Sequence, residues 1–161
     1  MRWVTVAVLA ALVFSGSGGF AAESVTQKYA LTLEGAKRVA AAAETEAFKN
    51  KWNVVIAIVD DGGNLLYLQR LDGTQASSSE TATRKARTAA LFKRPTKVLE
   101  DAVAAGRVSL LSLPNMTPIE GGLPLVYKGE IIGAIGVSGA TPQQDAQVAK
   151  VGADTLLPLP Q

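Results

Sequence analysis

Residues 54 to 68 read Val54-Val55-Ile56-Ala57-Ile58-Val59-Asp60-Asp61-Gly62-Gly63-Asn64-Leu65-Leu66-Tyr67-Leu68, and they decide the fold. The opening run is rich in β-branched residues and too short for a stable helix, so it reads as a strand. Asp, Gly and Asn follow, residues that reach positive φ at low cost, and then a second apolar run returns: a β-hairpin. The adjacent carboxylates Asp60 and Asp61 read as turn formers. As an acid/base or metal pair they would sit on opposite faces of a strand. A second hairpin of the same kind spans Leu123 to Tyr127, a Lys128-Gly129 turn, and Glu130 to Ser138.

Helical patterns surround the two hairpins. Leu33, Ala36, Ala40, Ala43 and Ala47 recur at spacings of three and four, which predicts a helix from about Thr32 to Asn50. Its face is mostly alanine and suits close packing, with Lys37, Glu44 and Glu46 left for solvent. Ser77 and Glu80 form the pattern of a capping box before a helix through Ala82, Ala86, Ala89, Ala90 and Phe92. Pro95 interrupts, Thr96 is placed to cap a shorter helix, and Gly106 to end it. From Val108 to Gly122 the chain reads as a loop long enough to suggest binding. Thr141, Pro142 and Gln144 announce a last helix, running to about Leu157.

The order is therefore helix, strand, strand, helix, helix, strand, strand, helix. It predicts one α+β domain, an antiparallel sheet built from two hairpins and flanked by about four helices. The absence of a βαβ pattern argues against a doubly wound nucleotide-binding fold.

Residues 1–21 carry a different message. Met1-Arg2, the apolar run Trp3 to Phe14, and small residues at Gly19 and Ala21 match a secretory leader cleaved after Ala21, leaving 22–161 as the domain. The apolar run is shorter than the roughly 20 residues a spanning helix needs, so no membrane span is expected after cleavage. A periplasmic or secreted protein is the expectation.

Composition excludes much chemistry. The 161 residues contain no Cys and no His. Disulfides, thiolate nucleophiles, Cys-based metal sites and Ser-His-Asp units are all out of reach. A formal charge of +2 from 16 basic and 14 acidic side chains leaves no footprint for nucleic acid. The glycine-rich stretch Gly133 to Gly139 fits neither dinucleotide nor P-loop spacing and reads as close backbone packing. Gly136-Val137-Ser138-Gly139-Ala140 approaches a nucleophile elbow, but no His is present to activate Ser138.

Two features remain for ligand chemistry. Met116, the one methionine outside the leader, sits inside the long loop, where a thioether either fills a core gap or ligates a soft metal such as haem iron. Arg84, Lys85 and Arg87 make one helix basic: a solvated face, or partners for a ligand's carboxylates.

The segments Val55 to Leu65, Arg70-Leu71-Asp72-Gly73, Arg84 to Ala89, Gly121-Gly122-Leu123-Pro124-Leu125, and Gly129 to Gly139 with Gln144-Asp145 together resemble the GlcG/HbpS family, in order across the chain after the leader. The resemblance implies a profilin-like domain, a symmetric homo-oligomer with an octamer as candidate size, and haem or haem-derived iron as ligand in some members. It also implies accessory roles, beside membrane sensors in secreted members and beside glycolate or diol metabolism in others. Carried onto this chain, the family's haem-binding loop falls on Leu113 to Glu120. It makes Met116 the axial-ligand and metal candidate, with Thr117 and Glu120 beside it and Arg84, Lys85 and Arg87 facing the propionates.

Three functional expectations follow: a non-catalytic binder of haem or a small anionic ligand, a structural or sensory partner whose alanine-rich helix packs between subunits while the oligomer docks on a membrane sensor, or an enzyme of small hydroxy or oxo acids. The last would use Asp60, Glu120 or Asp145 as base and Arg84 to hold the substrate carboxylate.

Overall fold

The computed structural model describes residues 25–156. The expected leader lies outside the described residues, as does the tail from Leu157.

Helix α1 (Leu33–Asn50) starts where the Thr32 hydroxyl accepts the Gly35 N–H at 3.0 Å, and stops at Lys51, which turns left-handed at φ 59°. Its alanine face is buried as the spacing predicts, Ala36, Ala40, Ala43 and Ala47 with Val39, but against the chain's own sheet and last helix, so it is not left to pack between subunits. Two positions differ from the sequence reading. Leu33, the first residue of the helix, is 51% exposed. Glu46 is covered instead of solvated, because the alanines let α4 (Pro142–Asp154) approach so closely that this flank of α1 meets it. There the Glu46 Oε1 accepts hydrogen bonds from Gln147 at 2.6 Å and from Asn50 at 2.9 Å. Those bonds, the Gln147 one foremost, hold its carboxyl below the usual range.

Strands β1 (Val55–Asp60) and β2 (Leu65–Arg70) form the first hairpin, and β3 (Gly122–Tyr127) and β4 (Glu130–Ser138) the second. They make one antiparallel sheet in the order β2-β1-β4-β3. The two hairpins join through β1 and β4, from Val55 opposite Ser138 to Asp60 opposite Gly133. The edges differ in character. β3 carries Pro124, which has no N–H to offer, whereas both hairpin pairings are irregular, β1 with β2 between Ile58 and Val59 and β3 with β4 between Leu125 and Val126. The β2 edge is free of proline and ends in the half-exposed Leu65.

Helices cover both faces. α1 and α4 pack on Ile56, Ile58, Ile135 and Val137, while α2 (Ser78–Phe92) packs on Val55, Ala57, Val59 and Ala134. This explains why β1 is apolar from Val55 to Val59: both of its faces are inside. Each fully buried Val or Ile there contributes about 1.5–3 kcal/mol of hydrophobic stabilisation. The close approach of α2 is set by Gly136, where a Cβ would lie 2.1 Å from the Ala82 carbonyl oxygen. The glycine stretch thus serves packing.

Helix starts divide into one success and two corrections. At α4 the capping box forms in full, with the Thr141 hydroxyl on the Gln144 N–H, the Gln144 side chain on the Thr141 N–H, and Pro142 first. The box read at Ser77 does not form. Ser77 is itself helical (φ −61°, ψ −24°), which turns its hydroxyl away from the cap geometry. Thr96 is the first residue of α3 (Thr96–Ala104), not its cap, and its buried hydroxyl accepts the Gly122 N–H at 2.9 Å. Gly106, at φ 96°, follows α3 as expected. The long loop is not wholly irregular, since Val108–Ser112 form a 3-10 turn. Helix α4 ends at Asp154, earlier than the spacing predicts.

Candidate functional site

The loop after the 3-10 turn is held by hydroxyls and carboxylates from α2 and α3. Thr88, fully buried on α2, donates its hydroxyl to the Asn115 carbonyl and accepts the Thr117 N–H, each at 2.9 Å. Glu100 on α3 accepts the Glu120 N–H at 2.9 Å. Met116 is thereby presented from a fixed loop between α2 and α3.

Met116 lines two pockets. One, of about 290 Å³, is polar and lined by Glu80, Arg84, Arg87, Asn115, Met116 and Thr117. The other, of about 260 Å³, is lined mainly by apolar side chains, among them Phe92, Val98, Leu99, Leu110, Leu113 and Met116, with Arg94 and Arg107 also contributing. The first brings together four of the residues that the sequence singles out: Met116, Thr117, Arg84 and Arg87. Arg84 pairs with Glu80 at 2.6 Å on an exposed face. Arg87 is tethered, its Nε donating to the Gly63 carbonyl at 3.1 Å, which ties the pocket to the first hairpin's turn.

Lys85 and Glu120 stand elsewhere. Lys85 shares the sheet-facing side of α2 with Ala82, Ala86 and Ala89, so its ammonium runs inward, not toward the loop. It donates to Asp145 at 2.8 Å and to the Val137 carbonyl at 3.0 Å, both groups being almost wholly buried. Burial pushes the Asp145 carboxyl up, against the pull of the Lys85 ammonium and of the Ala140 and Gly139 amides. Gly121 is required here: at φ 120°, a Cβ on it would lie 2.9 Å from the Lys85 Nζ. Lys85 is therefore unavailable to a ligand's carboxylate. Glu120 lines neither pocket, and its Oε2 is covered without a hydrogen-bond partner.

The carboxylates weighed for general base work do not converge. Asp60 closes the hairpin turn by accepting the Asn64 N–H at 2.8 Å. Asp145 belongs with Ala140 just past β4. Asp60 and Ser138 lie at opposite ends of the β1–β4 pairing. Five residue steps of strand, about 17 Å, separate those ends. Among the described residues there is no group of three or more Asp or Glu that could hold a metal ion, and no helix is long and apolar enough to cross a membrane.

Sequence reasoning missed Thr88 and the apolar pocket. A β-branched hydroxyl in an alanine helix, three residues after a lysine, was the available signal for the first.

A two-faced antiparallel sheet under four helices, with its candidate pockets on one loop, defines the class as a profilin-like α+β domain. The chain belongs to the HbpS-like family: residues 31–154 match the family described as haem degrading protein HbpS-like. Protein GlcG of Escherichia coli strain K12 is 48% identical over 111 residues, covering 69% of this chain and 83% of that protein. The crystal structure of HbpS is similar at a TM-score of 0.77 and 39% identity, covering 83% of this chain and 94% of that one. The PduOC:heme complex gives 0.72 and 30%, covering 80% and 96%.

Proposed function

We propose that the protein binds haem, or a smaller carboxylate ligand with an apolar body, at the Met116 loop. The observation that carries this reading is that Met116 lines both an arginine-bearing pocket and an apolar one. Family membership and the likeness to a haem complex support it.

The residues fit the group in kind. Met is an established haem axial ligand and guanidiniums pair with carboxylates in bidentate fashion. The size of the site restricts the pose: each pocket is below the roughly 300 Å³ at which ligand pockets begin, so a porphyrin must span both. Arg84 and Arg87 would take its propionates, Phe92, Leu110 and Leu113 its apolar edge, and Met116 the iron. Bound haem would supply a redox-active iron. The chain's own part is to hold and orient the group.

Titration of the purified protein with haemin tests this. A shifted Soret band is expected, weakened by Met116→Ala and by Arg84→Ala with Arg87→Ala. A Soret band identical to free haemin would sink the reading, and decay of a shifted band with time would mark turnover.

The same reading places the protein outside the cytoplasm, supported by the leader pattern, as a homo-oligomeric accessory to a membrane sensor. The oligomer draws support from the exposed apolar side chains Val98, Val108, Leu111, Leu113 and Ile119, gathered on α3, the 3-10 turn and the loop after it.

A further inference from the structure

We infer that Thr88 is the positioning residue of the Met116 site, an inference that rests on the ligand reading above and extends it. A threonine hydroxyl has one proton to give and lone pairs to receive with. Thr88 uses both kinds, giving to the Asn115 carbonyl and receiving from the Thr117 N–H. These two residues flank Met116 on either side. One buried hydroxyl thus fixes the backbone at both ends of the methionine, from a helix that is itself packed on the sheet.

Three further observations give the clamp its purpose. Asn115 is held left-handed at φ 60°, a conformation Asn tolerates but does not favour over extended backbone. With the hydroxyl gone, nothing from α2 would hold the loop against relaxing there. Arg84 lies four residues before Thr88, on the same helical face, so the clamp holds the loop backbone beside the turn of α2 that carries that guanidinium. Finally, Thr88 is 0% exposed, which keeps water from substituting for either bond. If Thr88 only filled space, valine of the same shape would serve as well.

The test compares Thr88→Val with Thr88→Ser in the full chain carrying isotope-labelled methionine methyl groups. The sequence has two methionines, so the Met116 signal is assigned by its loss in Met116→Leu. In the unsubstituted protein that signal should stand clear of the random-coil position. Thr88→Val should move it to that position and weaken haemin binding about tenfold, the scale of one or two lost hydrogen bonds. Thr88→Ser, which keeps the hydroxyl, should preserve both. An unmoved methyl signal in Thr88→Val overturns the inference.

Hydrogen exchange in the unsubstituted protein gives a reading that needs no variant to fold. The Thr117 N–H should exchange far more slowly than in an open chain, and open-chain exchange there would equally overturn the clamp. Should haemin fail to bind while the methyl and exchange results hold, the ligand reading falls and the positioning role of Thr88 stands.

Discussion

A lysine and an aspartate with 2% and 3% of their side chains exposed are an uncommon sight in a small domain, and the Lys85–Asp145 pair shows what each partner costs without the other. Lys85→Ala leaves the Asp145 carboxyl in the interior without its ion partner, and breaking a buried pair from one side costs about 3–5 kcal/mol. The double change Lys85→Met with Asp145→Leu removes both charges and should cost clearly less than Lys85→Ala alone, as read from urea midpoints. By contrast, Arg84 and Glu80 pair on the surface, so Arg84→Ala should change stability by less than about 1 kcal/mol. At this scale the sequence is least informative. Arg84, Lys85 and Arg87 look alike as a basic run, yet only the turn of the helix decides that two reach the pocket and one goes inward. Its alanine neighbours gave no hint that a long cation would find room, because the room is made by Gly121 from another part of the chain.

At the scale of elements, caps separate pattern from geometry. Thr141 and Ser77 both open a capping motif in the sequence, but only Thr141 sits in extended backbone, at φ −73° and ψ 156°, where its hydroxyl reaches the third helical N–H. Thr141→Ala should therefore cost about 1 kcal/mol in thermal or urea unfolding, and Ser77→Ala no more than a few tenths. Equal losses would show that the caps are not distinguished in solution. The hairpins were legible because strand and turn residues act locally: Val54 to Val59 and Asp60 to Asn64 need no distant partner to be read. The loop was legible only as a loop. What holds Met116 is a hydroxyl from α2 and what sets off the apolar pocket is the approach of α3, both long-range consequences of folding that spacing does not encode.

For the whole molecule, the decisive property is apolar surface left uncovered. Val108 and Leu111 are 63% and 57% exposed, and Val98, Leu113 and Ile119 from the neighbouring helix and loop are exposed with them. Self-association through this region predicts that light scattering on the purified protein, at micromolar concentration and without ligand, gives a multiple of the 16.7 kDa chain mass, less the leader where it is cleaved. A monomer under those conditions would count against the oligomer and the sensor-docking role together. Joining the protomers also bears on the site, since the apolar pocket behind Met116 shares Leu113 with the exposed cluster.

The unequal edges of the sheet set a limit on how such molecules can join by backbone. With β3 blunted by Pro124, the edge whose every residue keeps its N–H is β2, itself interrupted where Leu66 is skipped in the pairing with β1. Two copies meeting there, β2 against β2, use up the open edge of both. Joined in that way the two copies leave only proline-bearing edges outward, where the next strand would meet a position without an N–H to give.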